Sequence, residues 1–320
     1  MKNKNEVGRW FQKLGAMVLA LAVTASLWLG YVAARPDLLT DSIAATMRYK
    51  VQLLQDTAGT PRIIFVGGSS SPYGTDCAAV EDALGMPAID IGATAYLGLP
   101  FYFKTLEKYA APGDVIVLAP EHMMLAGDCV DYSLVWQAAG TDRAVWQCVP
   151  ISYYPNLFRT SRQYLKQKNA AIAAGRTDVA AYAAGFGPRG DVIETRETQL
   201  ASGWNTEDPV SLSQDAFDAE KIAEINRFAA HMKEKGVQVY FAYAPLDALC
   251  IETDEAAVDA YAKSLEKNLE VPVILSQQQA ILPGTLFYDS NNHLTTEGAA
   301  LNTENLIAGL RAQGVGSKKP

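Results

Sequence analysis

Histidine is scarce in this chain: three in 320 residues, at positions 122, 231 and 293. Cysteine numbers only four, Cys77, Cys129, Cys148 and Cys250, with no Cys-x-x-Cys pair and no zinc-like Cys/His spacing. That shortage argues against a zinc-built fold and against dithiol redox chemistry. Basic residues are in deficit as well: 27 Lys and Arg face 35 Asp and Glu, a net charge of −8. Residues 1–13 hold Lys2, Lys4, Arg9 and Lys13 against Glu6, which is +3, so the remainder carries −11. A nucleic-acid partner calls for the opposite balance. The Walker spacing and its lysine are missing, which removes the P-loop. No repeat or low-complexity tract is evident.

What is present begins with a long apolar run. Residues 14–34 are broken only by small or weakly polar side chains (Gly15, Thr24, Ser26, Gly30). As a helix, a run of that length spans roughly 30 Å, the hydrocarbon thickness of a bilayer. The basic flank precedes it, which predicts a cytoplasmic tail over 1–13, a single transmembrane signal-anchor over 14–34 and an extracytoplasmic remainder. The alternative is a cleaved signal peptide ending near Val32-Ala33-Ala34, although such apolar cores usually run about 7–15 residues. In an exported domain four cysteines point to two disulfides, with Cys129–Cys148 the expected pair, against the alternative of buried free thiols.

After a linker helix within 35–61, short apolar runs alternate with longer helical segments. Strands are expected at 63–66, 88–91, 114–118, 237–243 and 271–275, with a further one at 286–288. Helices are expected at 77–84, 100–110, 214–235, 254–269 and 295–312. That rhythm predicts an α/β domain over 62–313 with a mostly parallel sheet covered on both sides. Residues 128–213 break the rhythm and read as an insertion or lid of about 80 residues. Residues 314–320 form a tail.

The chain is organised around Pro-Arg-Ile-Ile-Phe-Val-Gly-Gly-Ser-Ser-Ser-Pro-Tyr-Gly, residues 61–74. The buried-strand run ends in two glycines that deliver Ser69 at the strand's carboxyl end, where ligands bind in open α/β sheets. Pro72 is expected to keep the serines on a loop, with a helix capped by Asp76 following and directing its partial positive charge toward Ser69. Near the other terminus, Asp289 stands four residues before His293. An aspartate orienting an imidazole that faces a serine is the hydrogen-bond series of a nucleophilic triad. No further His/Asp/Glu cluster completes a metal site, so no metal or cofactor is expected. His231, in an amphipathic stretch, reads as a surface helix residue.

Together, Val66-Gly67-Gly68-Ser69-Ser70 and the block from Phe287 to Leu294 resemble the SGNH/GDSL hydrolase superfamily. In it a serine follows the first strand in a Gly-Asp-Ser type block, and the acid and histidine share one C-terminal block. Gly68 stands where the family has aspartate, and one extra residue separates Asp289 from His293. Both departures resemble the membrane-anchored extracytoplasmic branch that includes the D-alanyl transfer protein of lipoteichoic acid synthesis and the alginate O-acetylation proteins. The resemblance implies a flavodoxin-like three-layer α/β/α sandwich and a nucleophile at Ser69. It also implies an oxyanion donor at Gly92 or Ala95, in Ile89-Asp90-Ile91-Gly92-Ala93-Thr94-Ala95. The family's asparagine is replaced near Glu121, in Ala119-Pro120-Glu121-His122. An ionised glutamate there would repel an oxyanion, so Glu121 holds a substrate hydroxyl, or His122 supplies the donor, or Glu121 is structural. The implied activity is an esterase or O-acyltransferase acting on cell-envelope polysaccharide or teichoic acid. A membrane-bound O-acyltransferase is the implied acyl-donor partner. The rival expectation is a non-catalytic envelope-assembly or glycan-binding protein on a degenerate scaffold of this kind.

Overall fold

The computed structural model of the chain describes residues 2–39, 42–175, 185–197, 199 and 209–316. Helix α1 (Lys2–Ala34) contains one stretch, Glu6–Ala34, long and apolar enough to cross a membrane. The domain behind it is mixed α/β around five parallel strands: β1 (Ile63–Gly67), β2 (Ala88–Asp90), β3 (Val115–Ala119), β4 (Gln238–Ala242) and β6 (Val273–Leu275). Their spatial order is β2-β1-β3-β4-β6. Ile63 pairs with Ala88 on one side and Val115 on the other, and Gly67 lies opposite Ala119. β1 is buried along its whole length, which is why it reads as an unbroken apolar run rather than an alternating one. The chain leaves β1 in one direction to build β2, then returns across it to build β3. That reversal opens a crevice at the carboxyl end of β1.

The helices start and stop where local chemistry directs. α4 (Cys77–Leu84) is capped by the Asp76 carboxylate, which accepts from Ala79 N, and ends at Gly85 with φ +66°. α5 (Leu99–Tyr109), α10 (Ala219–Glu234), α11 (Glu255–Asn268) and α12 (Thr296–Ala312) complete the alternation. Helix α2 (Met47–Asp56), expected within a linker, is part of the domain: Met47, Val51 and Leu54 are buried, and Arg62 donates to Leu54 O.

Three expectations fail, and one pairing was not expected at all. Residues 286–288 form no strand; Gly284–Leu286 is a 3-10 turn, and Phe287 makes a lone antiparallel bridge to Leu294. A two-stranded parallel pair, β5 (Leu246–Asp247) with β7 (Ile281–Leu282), was unforeseen because two-residue strands carry no periodicity. The serines are not on a loop: α3 (Ser70–Gly74) begins at once, since Pro72 sits in its first turn, where a missing N–H costs nothing. No disulfide forms; Cys129 Sγ donates to Ala95 O and Cys148 Sγ to Ala144 O, and these separate neighbourhoods keep the two thiols apart. Burial pushes the Cys129 thiol up to about 11.

The segment between β3 and α10 runs as α6 (His122–Ala126), α7 (Tyr132–Ala139), α8 (Arg143–Trp146) and α9 (Tyr154–Ala173). Trp136 of α7 stacks on Tyr164 of α9. The segment then returns past the sheet's rim, where Val192 N donates to Pro72 O. Much of the alanine-rich stretch 170–184, and Trp204, lie outside the described residues.

Candidate active site

Ser69 occupies the N-cap of α3 with helical backbone angles (φ −72°, ψ −22°), and Tyr73 N donates to Ser69 O at 3.4 Å. Residues 69 and 73 therefore share one face, four apart on a single turn. Ser69 is half-buried, whereas Ser70 and Ser71 are buried and turned inward. Of the three serines, only Ser69 meets solvent appreciably.

The His293 ring lies flat on the Tyr73 ring, with centroids 4.1 Å apart and planes 11° apart. Its Nδ1 is 2.7 Å from Asp289 Oδ1. A carboxylate accepts, so Nδ1 donates and Nε2 is left as the acceptor nitrogen. The residues between them form a closed loop: Ser290 Oγ accepts from Asn292 N and His293 N, and Tyr288 N donates to His293 O at 2.8 Å. That loop absorbs the extra residue between acid and imidazole. Early and late blocks thus meet on one rim. Ser69 Oγ and His293 share no hydrogen bond among the described residues.

Arg196 was not foreseen. Its guanidinium sits 5.3 Å over the Tyr73 ring; Nη2 donates to Tyr73 O at 3.2 Å and Nε to Leu294 O at 2.9 Å. The buried arginine staples α3 to the histidine block, and its own hydrogen bonds go to carbonyls rather than to a carboxylate. No sequence pattern announces such a backbone staple. Beside it a cleft of about 340 Å³ is lined by Asp76, Arg189, Asp191, Glu194 and Thr296, among others.

Two buried carboxylates flank the serine turn. Asp90, ending β2, accepts from Ser71 Oγ at 2.5 Å and from Gly92 N at 2.7 Å, with Lys50 Nζ 3.6 Å away. Complete burial raises the Asp90 carboxyl to about 6, a rise that Lys50 and the two hydrogen bonds limit; the same burial lowers Lys50. Glu121, just after β3, accepts from Ser70 N at 2.9 Å and is 5% exposed. Its carboxylate fills the space that a Cβ on Gly68 would need. Gly67 is likewise required by space, since a Cβ there would strike Ala119 O. Neither glycine has a positive φ, so close approach rather than turning freedom selects them.

The remaining site expectations separate. The Gly92 amide is committed to Asp90, so it is not a free oxyanion donor. Ala95, buried, opens a 3-10 turn capped by Thr94; its amide, like that of Ser69, donates to no protein group among the described residues. His122 starts α6 and borders a small cavity with Tyr243, Gln277 and Asn292. His231 is exposed in the last turn of α10. Among the described residues no group of three or more His, Cys, Asp or Glu is placed to hold a metal ion.

No protein-family model matches this chain, and no curated protein matches it.

Proposed function

We propose that the chain is a membrane-anchored serine esterase or O-acyltransferase of the SGNH/GDSL type, built on a flavodoxin-like three-layer domain. One observation carries the reading: the Asp289–His293 pair is stacked on Tyr73, one helical turn from the half-exposed Ser69. The strand order, 2-1-3-4-5 in sequence terms, supports the fold, since flavodoxin-like sheets have it. The Glu121–Gly68 contact supports the family. The carboxylate missing from position 68 reaches the same place from position 121, so two departures from the family pattern are one exchange.

In this reading Ser69 Oγ attacks the acyl carbonyl and His293 Nε2 takes the hydroxyl proton. Asp289 holds Nδ1–H and stabilises the imidazolium. The Ser69 and Ala95 amides are the donors left for the oxyanion. Collapse of the tetrahedral adduct breaks the ester C–O bond, and the departing alkoxide takes the proton from His293. Water or a glycan hydroxyl then attacks the acyl-serine, with His293 again taking the proton; the acyl C–Oγ bond breaks and Ser69 Oγ recovers the proton from His293. In this reading Ser69 and His293 come into hydrogen-bond reach in the working complex, since a resting triad is commonly looser than a working one. The envelope glycan or teichoic acid substrate, an acyl-donating membrane-bound partner and an extracytoplasmic site follow from the resemblance and from α1 as an anchor.

The engaged Gly92 amide and the unjoined Ser69 hydroxyl favour the second reading, a glycan-binding or assembly protein on a degenerate scaffold. Fluorophosphonate labelling separates the two. The wild type and Ser70→Ala are expected to label, Ser69→Ala not to, and His293→Ala to slow aryl-acetate turnover by about 10³-fold or more. Equal labelling of wild type and Ser69→Ala sinks the catalytic reading.

A further inference from the structure

Helix α9 is bolted to the end of α1. Trp28 Nε1 donates to Ser161 Oγ at 2.7 Å, and Arg35 Nη2 donates to Asn169 Oδ1 at 3.0 Å. Lys168 Nζ donates to Val32 O, Ala33 O and Arg35 O at 3.1, 3.4 and 2.9 Å, closing the carbonyl end of α1 with a buried cation. Contacts that advance from 28 to 35 on one helix advance from 161 to 169 on the other. The two helices therefore run side by side in the same direction for about two turns.

That direction has a consequence. Moving back toward the start of α9 moves down along α1, into its apolar run. Phe158 lies about a turn below the Trp28 level, and Ile151 precedes the helix. They are 47% and 81% exposed, large apolar side chains left uncovered by the domain. Above Phe158 on the exposed surface come Arg159, Arg162 and Lys166. No acidic residue occurs from 143 to 173, in a chain whose remainder beyond residue 13 carries −11. Apolar below and basic above is the order of groups met on leaving a bilayer through its phosphates.

We propose that α9 forms a second membrane contact beside α1. Phe158 enters the headgroup–acyl boundary, and Arg159, Arg162 and Lys166 face lipid phosphates. This rests on α1 lying in the membrane with Trp28 at its outer interface rather than with the hydrocarbon reaching Ala34. That depth sets Phe158 a turn below the interface and Arg162 and Lys166 at and above it, with Arg159 reaching up. Two features together commit the surface to lipid rather than to a protein: its continuity with α1 and its graded apolar-to-basic order. The buried face of α9 (Leu157, Ser161, Tyr164, Lys168, Ala171) is already spent on the domain and α1.

The test uses the full chain in nanodiscs of phosphatidylcholine and phosphatidylglycerol. A photo-crosslinking phenylalanine analogue replaces Leu19 in α1, Phe158, or Leu249, which is 65% exposed far from α9 in sequence. Lipid adducts read by mass spectrometry are expected at 19 and 158, with at least tenfold less at 249. Adducts at 19 with none at 158, or equal yields at 158 and 249, overturn the contact while leaving the anchor intact. Absence of adducts at both 19 and 158 overturns the anchor and the contact together.

Discussion

Asp90 and Glu121 are two buried carboxylates at the ends of β2 and β3, the strands that flank β1, one on each side of the serine turn. Asp90 is matched in full: a hydroxyl, an amide and the buried Lys50 answer its charge. Glu121 has one amide, from Ser70, and no cation within ion-pair distance among the described residues. The first acid clamps α3 to β2 and α2. The second retains acceptor capacity beside Ser69. Two acids of similar burial thus do different work because one sits opposite a lysine and the other opposite a glycine.

The largest expected effect tests the clamp. Lys50→Ala strands a buried carboxylate and is expected to cost about 3–5 kcal/mol in denaturant unfolding. Glu121→Gln keeps an acceptor for Ser70 N and is expected to cost less than about 1 kcal/mol. Equal losses would erase the distinction between the two acids.

Next comes pH. Asp90 titrates near 6 in the folded chain, above the roughly 3.9 of an unfolded one. A raised carboxyl favours the folded state while it is protonated. Its contribution is fully present below about pH 4 and is lost as pH rises through about 6, on the order of 2–3 kcal/mol. Melting temperature followed from pH 4 to 6 should therefore fall more steeply in the wild type than in Asp90→Asn. Parallel profiles would remove Asp90 as the titrating group.

The smallest effect concerns the exchanged carboxylate. Glu121→Ala orphans the Ser70 amide, at about 1–2 kcal/mol. Gly68→Asp should recover part of that loss in the Glu121→Ala background, yet destabilise the wild type by crowding two carboxylates. A Gly68→Asp effect of the same sign and size in both backgrounds would break the proposed equivalence.

The sheet was legible because its strands are buried on both faces: residues 63–66, 88–91 and 114–118 are within one residue of β1, β2 and β3 at each end. Helix α4 was legible at both ends through Asp76 and Gly85. The site was half legible. Ser69, Asp289 and His293 stand out by residue type and spacing, and the structure sets them on one rim. Tyr73 and Arg196 did not stand out, because a ring stacked on an imidazole and a guanidinium on carbonyls leave no periodic trace. Gly92 misled for a related reason: a glycine after a strand shows that space is tight, not where its amide is spent. Asp90, two residues earlier, had already taken it. The cysteine pairing failed because an even count fixes no distances.

Lys168 has one more consequence. A domain hung from its anchor by a slack connector sweeps a hemisphere. Here the stalk's last carbonyls are gripped from the side, so swivelling means letting go of a buried ammonium ion. The rim that carries Ser69 is thereby held at one bearing relative to α1, like a tool on a fixed arm; with α1 in a membrane, as proposed, that rim keeps one altitude above the lipid.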